Sequence, residues 1–283
     1  MIVDSFARRR RLASPPIDRS GSHRVLAAIV ASALVLVSLV PATALAGHAL
    51  AAGRPTIVLV HGAWAGPAGW DDVASGLRKD GYTVVTPTLA EVSIVGDALI
   101  VDGVLDGIPG DKIVVGHSYG GTVVSNATFG RTDVRGLVFT AAFLPDQGDS
   151  ILSLGTGFRP SDLVNHLVFN PFPFAYIDPA FFPQIFAQDL SPKKAAELNA
   201  GQIPINAAIL GSPSGPVGWH AIRSWYAVSG ADLVIDPAEQ HWMASRAGAI
   251  TVQFDDASHA GGFTHYAARF VKLVEQAAGE TAG

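Results

Sequence analysis

Gly116-His117-Ser118-Tyr119-Gly120 stands between a β-branched apolar run, Lys112-Ile113-Val114-Val115, and a stretch of helical character, Gly121-Thr122-Val123-Val124. A serine on a sharp strand-to-helix turn is held in a strained conformation with its hydroxyl pushed out over the sheet. Glycines two residues before and two after it let the flanking backbones approach without a Cβ clash. The free N–H groups that open the helix point to the place where an oxyanion would form. These residue types at this spacing support nucleophilic attack by Ser118. A serine hydroxyl is a weak nucleophile at neutral pH, so it needs a base within hydrogen-bond reach and an acid to orient that base.

On an elbow of this kind the chain order is serine, then acid, then histidine. Asp232 follows Tyr226-Ala227-Val228 and a small-residue turn, and His259 follows Ile250 to Phe254 through Asp255-Asp256-Ala257-Ser258. The expected set is therefore Ser118, Asp232 and His259. Asp236 and Asp146 are rivals for the acid. Asp236 precedes Pro237 and suits the start of a helix, and Asp146 follows the strand that ends at Thr140. His265 is the rival base and is placed inside the last helix. His241, beside Trp242 on a helix, reads as structural, and His117 is expected beneath the elbow. A tetrahedral intermediate also needs two backbone donors. The N–H groups of Tyr119, next after the serine, and of Ala63, in the loop His61-Gly62-Ala63 after the first strand, are the expected pair.

The elements that must position these groups alternate. Thr56–Val60, Thr83–Pro87, Lys112–Val115, Gly136–Thr140, Trp225–Val228 and Ile250–Phe254 read as strands. Helical patterns lie between them at Trp70–Leu77, 91–107, from Gly121 to about Phe129, and around Ala238–Ala247, with a last helix from about Phe263 to Ala277. That rhythm implies an α/β fold, a mainly parallel sheet of about six strands with helices on both faces. The interval of about 147–222 breaks the rhythm. It is too long for a loop and is read as a helical cap insertion, with short helices at Ala195–Leu198 and Pro204–Ala208. It is rich in Phe and Pro. Its rings would line a pocket if the cap covers the strand ends, or form a core of their own.

The chain is 49% hydrophobic and 15% charged, enough apolar material to bury a core and contrary to disorder. A net charge of −5 leaves no basic footprint for nucleic acid. There are no cysteines, which excludes a disulfide framework, a thiolate nucleophile and a Cys-based metal site. None of the nine histidines forms an H-E-x-x-H pair. At the N-terminus, the cluster Arg8–Arg11, the apolar run Val25–Val40 and Ala44-Leu45-Ala46 have the order of an export signal cut before Gly47. The expected organisation is 1–46 as signal peptide or, if retained, a membrane anchor, and 47–283 as one domain. Membrane association is expected only if the segment is retained, and the protein is otherwise expected outside the cytoplasm.

The segments IVLVHGAWAGPAGWDDVASGL, VVGHSYGG, LVFTAAFLPDQG, WYAVSGADLVIDPAEQHWMA and DASHAGGFTHY resemble the α/β-hydrolase superfamily. The similarity is greatest to its branch of bacterial secreted esterases, plant methyl esterases and hydroxynitrile lyases, and runs from about Pro55 to Ala277. The resemblance implies Ser118, Asp232 and His259 as the triad, Ala63 and Tyr119 as the oxyanion hole, and no cofactor or metal. Lyases of this branch carry a lysine directly after the triad aspartate, where this chain has Leu233, which disfavours the lyase. Dehalogenases and epoxide hydrolases carry an aspartate where this chain has Ser118. Relatives commonly have a small residue or proline at the position of Asp236. The expected activity is that of a secreted serine hydrolase of small-molecule carboxylic esters. The alternatives are an amidase or lactonase with the same residues, or a ligand-binding protein on the same fold.

Overall fold

The computed structural model describes residues 53–169 and 171–282, so the expected signal or anchor at 1–46 lies outside the described residues. Six strands form one sheet: β1 (Thr56–Val60), β2 (Val84–Val85), β3 (Lys112–His117), β4 (Val134–Thr140), β8 (Ser224–Ser229) and β9 (Ile250–Phe254). Their spatial order is β2-β1-β3-β4-β8-β9, and every neighbouring pair is parallel. β3 and β8 are buried at every position, as strands covered on both faces must be, and this is why they read as unbroken apolar runs. β2 is shorter than the run Thr83–Pro87 suggests. It is an edge strand, and Pro87 has no N–H to offer a ladder.

The helices of the sheet domain are α1 (Asp71–Lys79), α2 (Ile94–Asp106), α3 (Tyr119–Ala127), α7 (Pro237–Arg246) and α8 (Ala267–Glu280). α1 and α8 pack together on one face and α2 and α3 on the other, which gives the α/β-hydrolase fold its three layers. Among the described residues no helix is long and apolar enough to cross a membrane.

The segment 147–222 carries the short helices α4 (Ile151–Leu154), α5 (Phe182–Ile185) and α6 (Pro192–Ala200). It also holds a feature the sequence does not announce, a three-stranded antiparallel sheet of β5 (Leu167–Phe169), β6 (Phe174–Ile177) and β7 (Ile205–Asn206). The expected helix at Pro204–Ala208 is replaced by β7 and a 3₁₀ turn, Ala207–Gly211. There the Asn206 side chain accepts from the Ala208 N–H, which ends the strand and caps the 3₁₀ turn.

The chain runs from β1 outward to β2 and then returns to β3 on the other side of β1. The connection thus reverses direction between β1 and β3. A crevice opens at the carboxyl ends of strands where an open sheet changes winding direction. The loops leaving β1 and β3 carry Gly62-Ala63 and Ser118, so the topology alone puts both at that crevice.

Candidate active site

Ser118 sits between β3 and α3 with φ 52° and ψ −126°, a left-handed conformation that a non-glycine residue holds at a cost of about 1–3 kcal/mol. Three backbone bonds enforce it. Its N–H donates to the Ala141 carbonyl at 3.0 Å, and its own carbonyl accepts from Gly121 N–H at 2.9 Å and Phe143 N–H at 3.1 Å. The chain leaving β4 thereby clamps the elbow. Two glycines permit the packing. A Cβ on Gly62 would lie 2.7 Å from Ser118 Cβ, and one on Gly120 would lie 2.5 Å from the His61 carbonyl oxygen. The loop after β1 therefore rests directly against the serine, and only glycine fits at the contact.

That contact brings the backbone of Ala63 beside Ser118. Among the described residues the Ala63 N–H makes no hydrogen bond to the protein. Tyr119 is the first residue of α3, where a helix leaves its N–H groups without intrahelical partners. Ala63, Ser118 and Tyr119 line one cavity of about 260 Å³. The next residue, Trp64, is held away from that role. It has φ 58°, and its N–H donates to Glu91 Oε2 at 3.3 Å.

Asp232 lies in the loop after β8, buried, with all its acceptor positions in use. Oδ1 accepts from Val234 N–H at 2.7 Å and Ile235 N–H at 3.0 Å. Oδ2 accepts from Gln240 Nε2 at 2.8 Å and lies 2.8 Å from His259 Nδ1. A carboxylate only accepts, so Nδ1 carries the proton and the lone pair of His259 sits on Nε2. Nε2 is buried and has no hydrogen-bond partner among the described residues, so the Ser118 hydroxyl does not bond it in this resting geometry. Contacts between a catalytic base and its nucleophile commonly tighten only when substrate is bound.

Two further side chains, Phe186 and His117, hold His259. Phe186, from the cap, meets its ring edge-on at 4.6 Å between centroids. The His117 ring lies 4.7 Å away. His117 Nε2 is 3.0 Å from the His259 carbonyl, and a carbonyl only accepts, so this nitrogen is protonated and donates. Full burial, reinforced by the neighbouring His259, pushes the His117 pKa well down and keeps it neutral. His117 thus lies beneath the elbow and ties it to the histidine loop.

The rival residues lie elsewhere. Asp236 caps α7, accepting from Ala238 N–H at 3.1 Å and from Arg159 N–H at 2.8 Å. Asp146 is near the surface, 3.0 Å from His220 Nε2. His241 is exposed and 2.7 Å from Gln253 Oε1. His265 is not inside the last helix as the sequence suggests. It lies in the turn before α8, half exposed, because the Gly261–Phe263 segment forms a 3₁₀ turn and α8 starts only at Ala267. A Gly pair is a poor helix former.

Two functional features escape a reading of motifs. Gln240 on α7 donates to Asp232 and to the Ile235 carbonyl and accepts from Ser229 N–H, so it locks the acid's loop to β8. Its signal in the sequence is only a polar residue one helical turn beyond the helix start, on a helix that packs against β8. The second is a buried set behind the elbow. Asp97 accepts from Ala90 and Glu91 N–H groups and from the Tyr119 hydroxyl, at 2.8, 3.0 and 2.6 Å. Beside it, burial and, to a lesser degree, the Asp97 charge push the Glu91 carboxyl up to about 9, against the Trp64 N–H that lowers it.

The cap lines the cavity with aliphatic side chains, Ile151, Leu163 and Leu210 among them, and not with the rings its sequence displays. Phe182 stacks on Phe186 at 4.8 Å over His259, Phe158 packs on Trp242, and Phe172 is exposed. The described residues contain no cluster of three His, Asp or Glu side chains placed to hold a metal ion.

Residues 57–273 match the profile of the alpha/beta hydrolase family. Over 110 residues the chain is 38% identical to a carbendazim hydrolyzing esterase of Nocardioides sp. (strain SG-4G), an alignment covering 34% of this chain and 46% of the relative. The chain thus spans less than half the length of that curated relative. Among solved structures, an extracellular alpha/beta-hydrolase from a Paenibacillus species, described as sharing structural and functional homology with a tobacco salicylic acid binding protein, superposes with a TM-score of 0.64 at 24% identity. That superposition covers 79% of this chain and 98% of the other. A pyrethroid hydrolase from Sphingobium faniae JZ-2 superposes with a TM-score of 0.68 at 21% identity, covering 81% and 98%. At these identities the superpositions establish a shared fold.

Proposed function

The chain belongs to the alpha/beta hydrolase family, and on that footing we propose that it is a serine hydrolase of small-molecule carboxylic esters. The observation that carries this is the pair Asp232–His259, with a bond of 2.8 Å and an Nε2 without a partner among the described residues, together with a strained serine that shares a cavity with the residues of two backbone donors. His259 Nε2 takes the proton of Ser118 as its oxygen attacks the ester carbonyl. The N–H groups of Ala63 and Tyr119 hold the oxyanion, and Asp232 stabilises the imidazolium. The proton passes to the leaving alcohol, and water then attacks the acyl-enzyme by the same route in reverse. The aliphatic lining supports an apolar substrate, and about 260 Å³ suits a small molecule. The esterase relative and the pyrethroid-hydrolysing neighbour support ester chemistry.

The test is a panel of p-nitrophenyl esters of graded chain length, with the protein beginning at Gly47. Turnover that peaks at short to medium chains and falls at least 10³-fold in Ser118→Ala is expected. Folded protein that cleaves none of them, nor the matching amides and lactones, overturns the proposal. It would favour a ligand-binding protein, to which the unbonded Ser118 and His259 side chains would then point. Export is proposed from the order of features in residues 1–46, with support from the neighbour described as extracellular. A mature N-terminus at Gly47 in the culture medium is the expected result, and full-length protein in the membrane fraction the contrary one.

A further inference from the structure

Glu239 lies on the wall of the same cavity as Ser118, 4% exposed, with no use in the relay. It is the third residue of α7, behind the N-cap Asp236. A glutamate there ordinarily folds back to accept from the N-cap N–H and closes a capping box. This one forgoes that bond. Its Oε1 is fully buried with no hydrogen-bond partner among the described residues, and its Oε2 faces the cap at Gly155, where a Cβ would lie 3.8 Å away. The one cation lining the cavity among the described residues, Arg159, is turned elsewhere. Its guanidinium donates to the Asp232 carbonyl at 2.6 Å and forms no ion pair with Glu239. The same cavity is lined by aliphatic side chains, Ile151, Leu163 and Val234 among them. A carboxyl buried without a donor is costly, and nearly all buried polar atoms in folded proteins are satisfied. A carboxyl to which the protein supplies no donor, on the wall of the cavity that holds the nucleophile, is an acceptor for a ligand.

We propose that Glu239 determines specificity, and that the part of the substrate buried in this cavity carries an N–H donor, as an amine or an N–H heterocycle. This rests on the ester-hydrolase proposal for Ser118 and names the substrate class that the site would take. Burial, and then the negative charges of Asp236 and Asp232, push the Glu239 carboxyl up to about 7, so a bound N–H donor finds it able to ionise at neutral pH. An apolar ester of the same shape would still enter but would bury the carboxyl with no partner, and so would bind more weakly. Sites built around a polar partner discriminate strongly against analogues that lack it.

The experiment separates binding from catalysis. Ser118→Ala protein, which has lost the proposed nucleophile, is titrated calorimetrically at pH 8 with two matched pairs of methyl esters. One pair is methyl 4-(aminomethyl)benzoate and methyl 4-ethylbenzoate, and the other is methyl indole-5-carboxylate and methyl benzothiophene-5-carboxylate. The N–H member of at least one pair is expected to bind ten-fold or more tighter than its partner. A preference confined to the first pair assigns an ammonium ligand, and a preference in the second assigns a neutral N–H heterocycle. Adding Glu239→Leu should bring the ratio near one. Adding Glu239→Gln should keep a preference for the indole and lose one for the ammonium. Equal binding within both pairs, or a preference that survives Glu239→Leu in folded protein, overturns the proposal. The kcat/KM ratios of the otherwise unaltered enzyme for the same pairs then report separately on catalysis. If the ratios in binding hold while no ester is cleaved, the hydrolase proposal fails and the specificity role of Glu239 stands.

Discussion

Asp232 and Glu239 are seven residues apart, both buried, and their surroundings are opposite. The turn after β8 wraps Asp232 in two backbone N–H groups, a glutamine amide and a histidine ring N–H, all at 2.7 to 3.0 Å. The first turn of α7 leaves Glu239 Oε1 without a donor. These donors fix the direction of the Asp232 carboxylate, so that it can hold His259 in one tautomer. Burial without donors lifts Glu239 toward neutrality. The same residue class is held by four donors in one place and left without one in the other, where burial and the charges of Asp236 and Asp232 add to the difference. Glu91, fully buried, shows that burial can outweigh a donor. It has one weak donor at 3.3 Å, sits in left-handed backbone at φ 54°, and has the carboxyl raised to about 9.

The comparison is broken most forcefully at Asp232. Asp232→Asn should lower kcat about 10⁴-fold, because the amide can offer its N–H to Nδ1 and turn the imidazole to the wrong tautomer. Steady-state ester hydrolysis with a thermal melt checks it, and a loss under ten-fold would deny Asp232 its role. Glu91→Gln should come next, with a gain in stability that depends on pH. The folded pKa of Glu91 lies above its unfolded value, so the folded protein holds the proton more tightly and stability drains away as pH rises from about 4.5 to about 9. Glutamine removes that dependence. The variant should gain on the order of 2–4 kcal/mol over the parent at pH 8 and little at pH 4.5, read by denaturant melts at both. Glu239→Leu should show the same sign over the narrower window from about 4.5 to about 7, with a gain on the order of 1–3 kcal/mol at pH 8. An unchanged pH profile of unfolding would mean the carboxyl is solvated after all. The smallest effect is expected at Gln240. Gln240→Leu leaves Asp232 its other three donors and should lower kcat about ten-fold, while the stranded Ser229 N–H and Ile235 carbonyl cost about 1–3 kcal/mol in stability.

The sheet domain was legible in the sequence because parallel strands covered on both faces are written as continuous β-branched runs, and Thr56–Val60 falls on the observed bounds of β1; Ile250–Phe254 falls on those of β9, an edge strand that keeps its β-branched residues though it is only partly buried. The placing of Ser118 at a strained turn was legible because so few residue patterns fit a strand-to-helix elbow, and the pairing of Asp232 with His259 because each comes after a strand whose place in the sheet is forced. The cap was harder. β5 and β6 are joined through Pro171-Phe172-Pro173, which masks a hairpin as a loop, and the rings that suggested a pocket serve as packing around His259 and the surface. Gln240, Glu91 and Glu239 were not legible, since what distinguishes them is the supply of donors around a buried polar atom, a property of three-dimensional packing with no signature in spacing.

The central claim is that Ser118 is a nucleophile activated by His259 and Asp232, and covalent capture tests it most directly. The protein beginning at Gly47 is treated with a fluorophosphonate and its peptides are mapped by mass spectrometry. One adduct per chain on the peptide containing Ser118 is expected, absent in Ser118→Ala and formed at least a hundred-fold more slowly in Asp232→Asn. Folded protein that remains unlabelled, or that is labelled at another residue with Ser118 untouched, would contradict it.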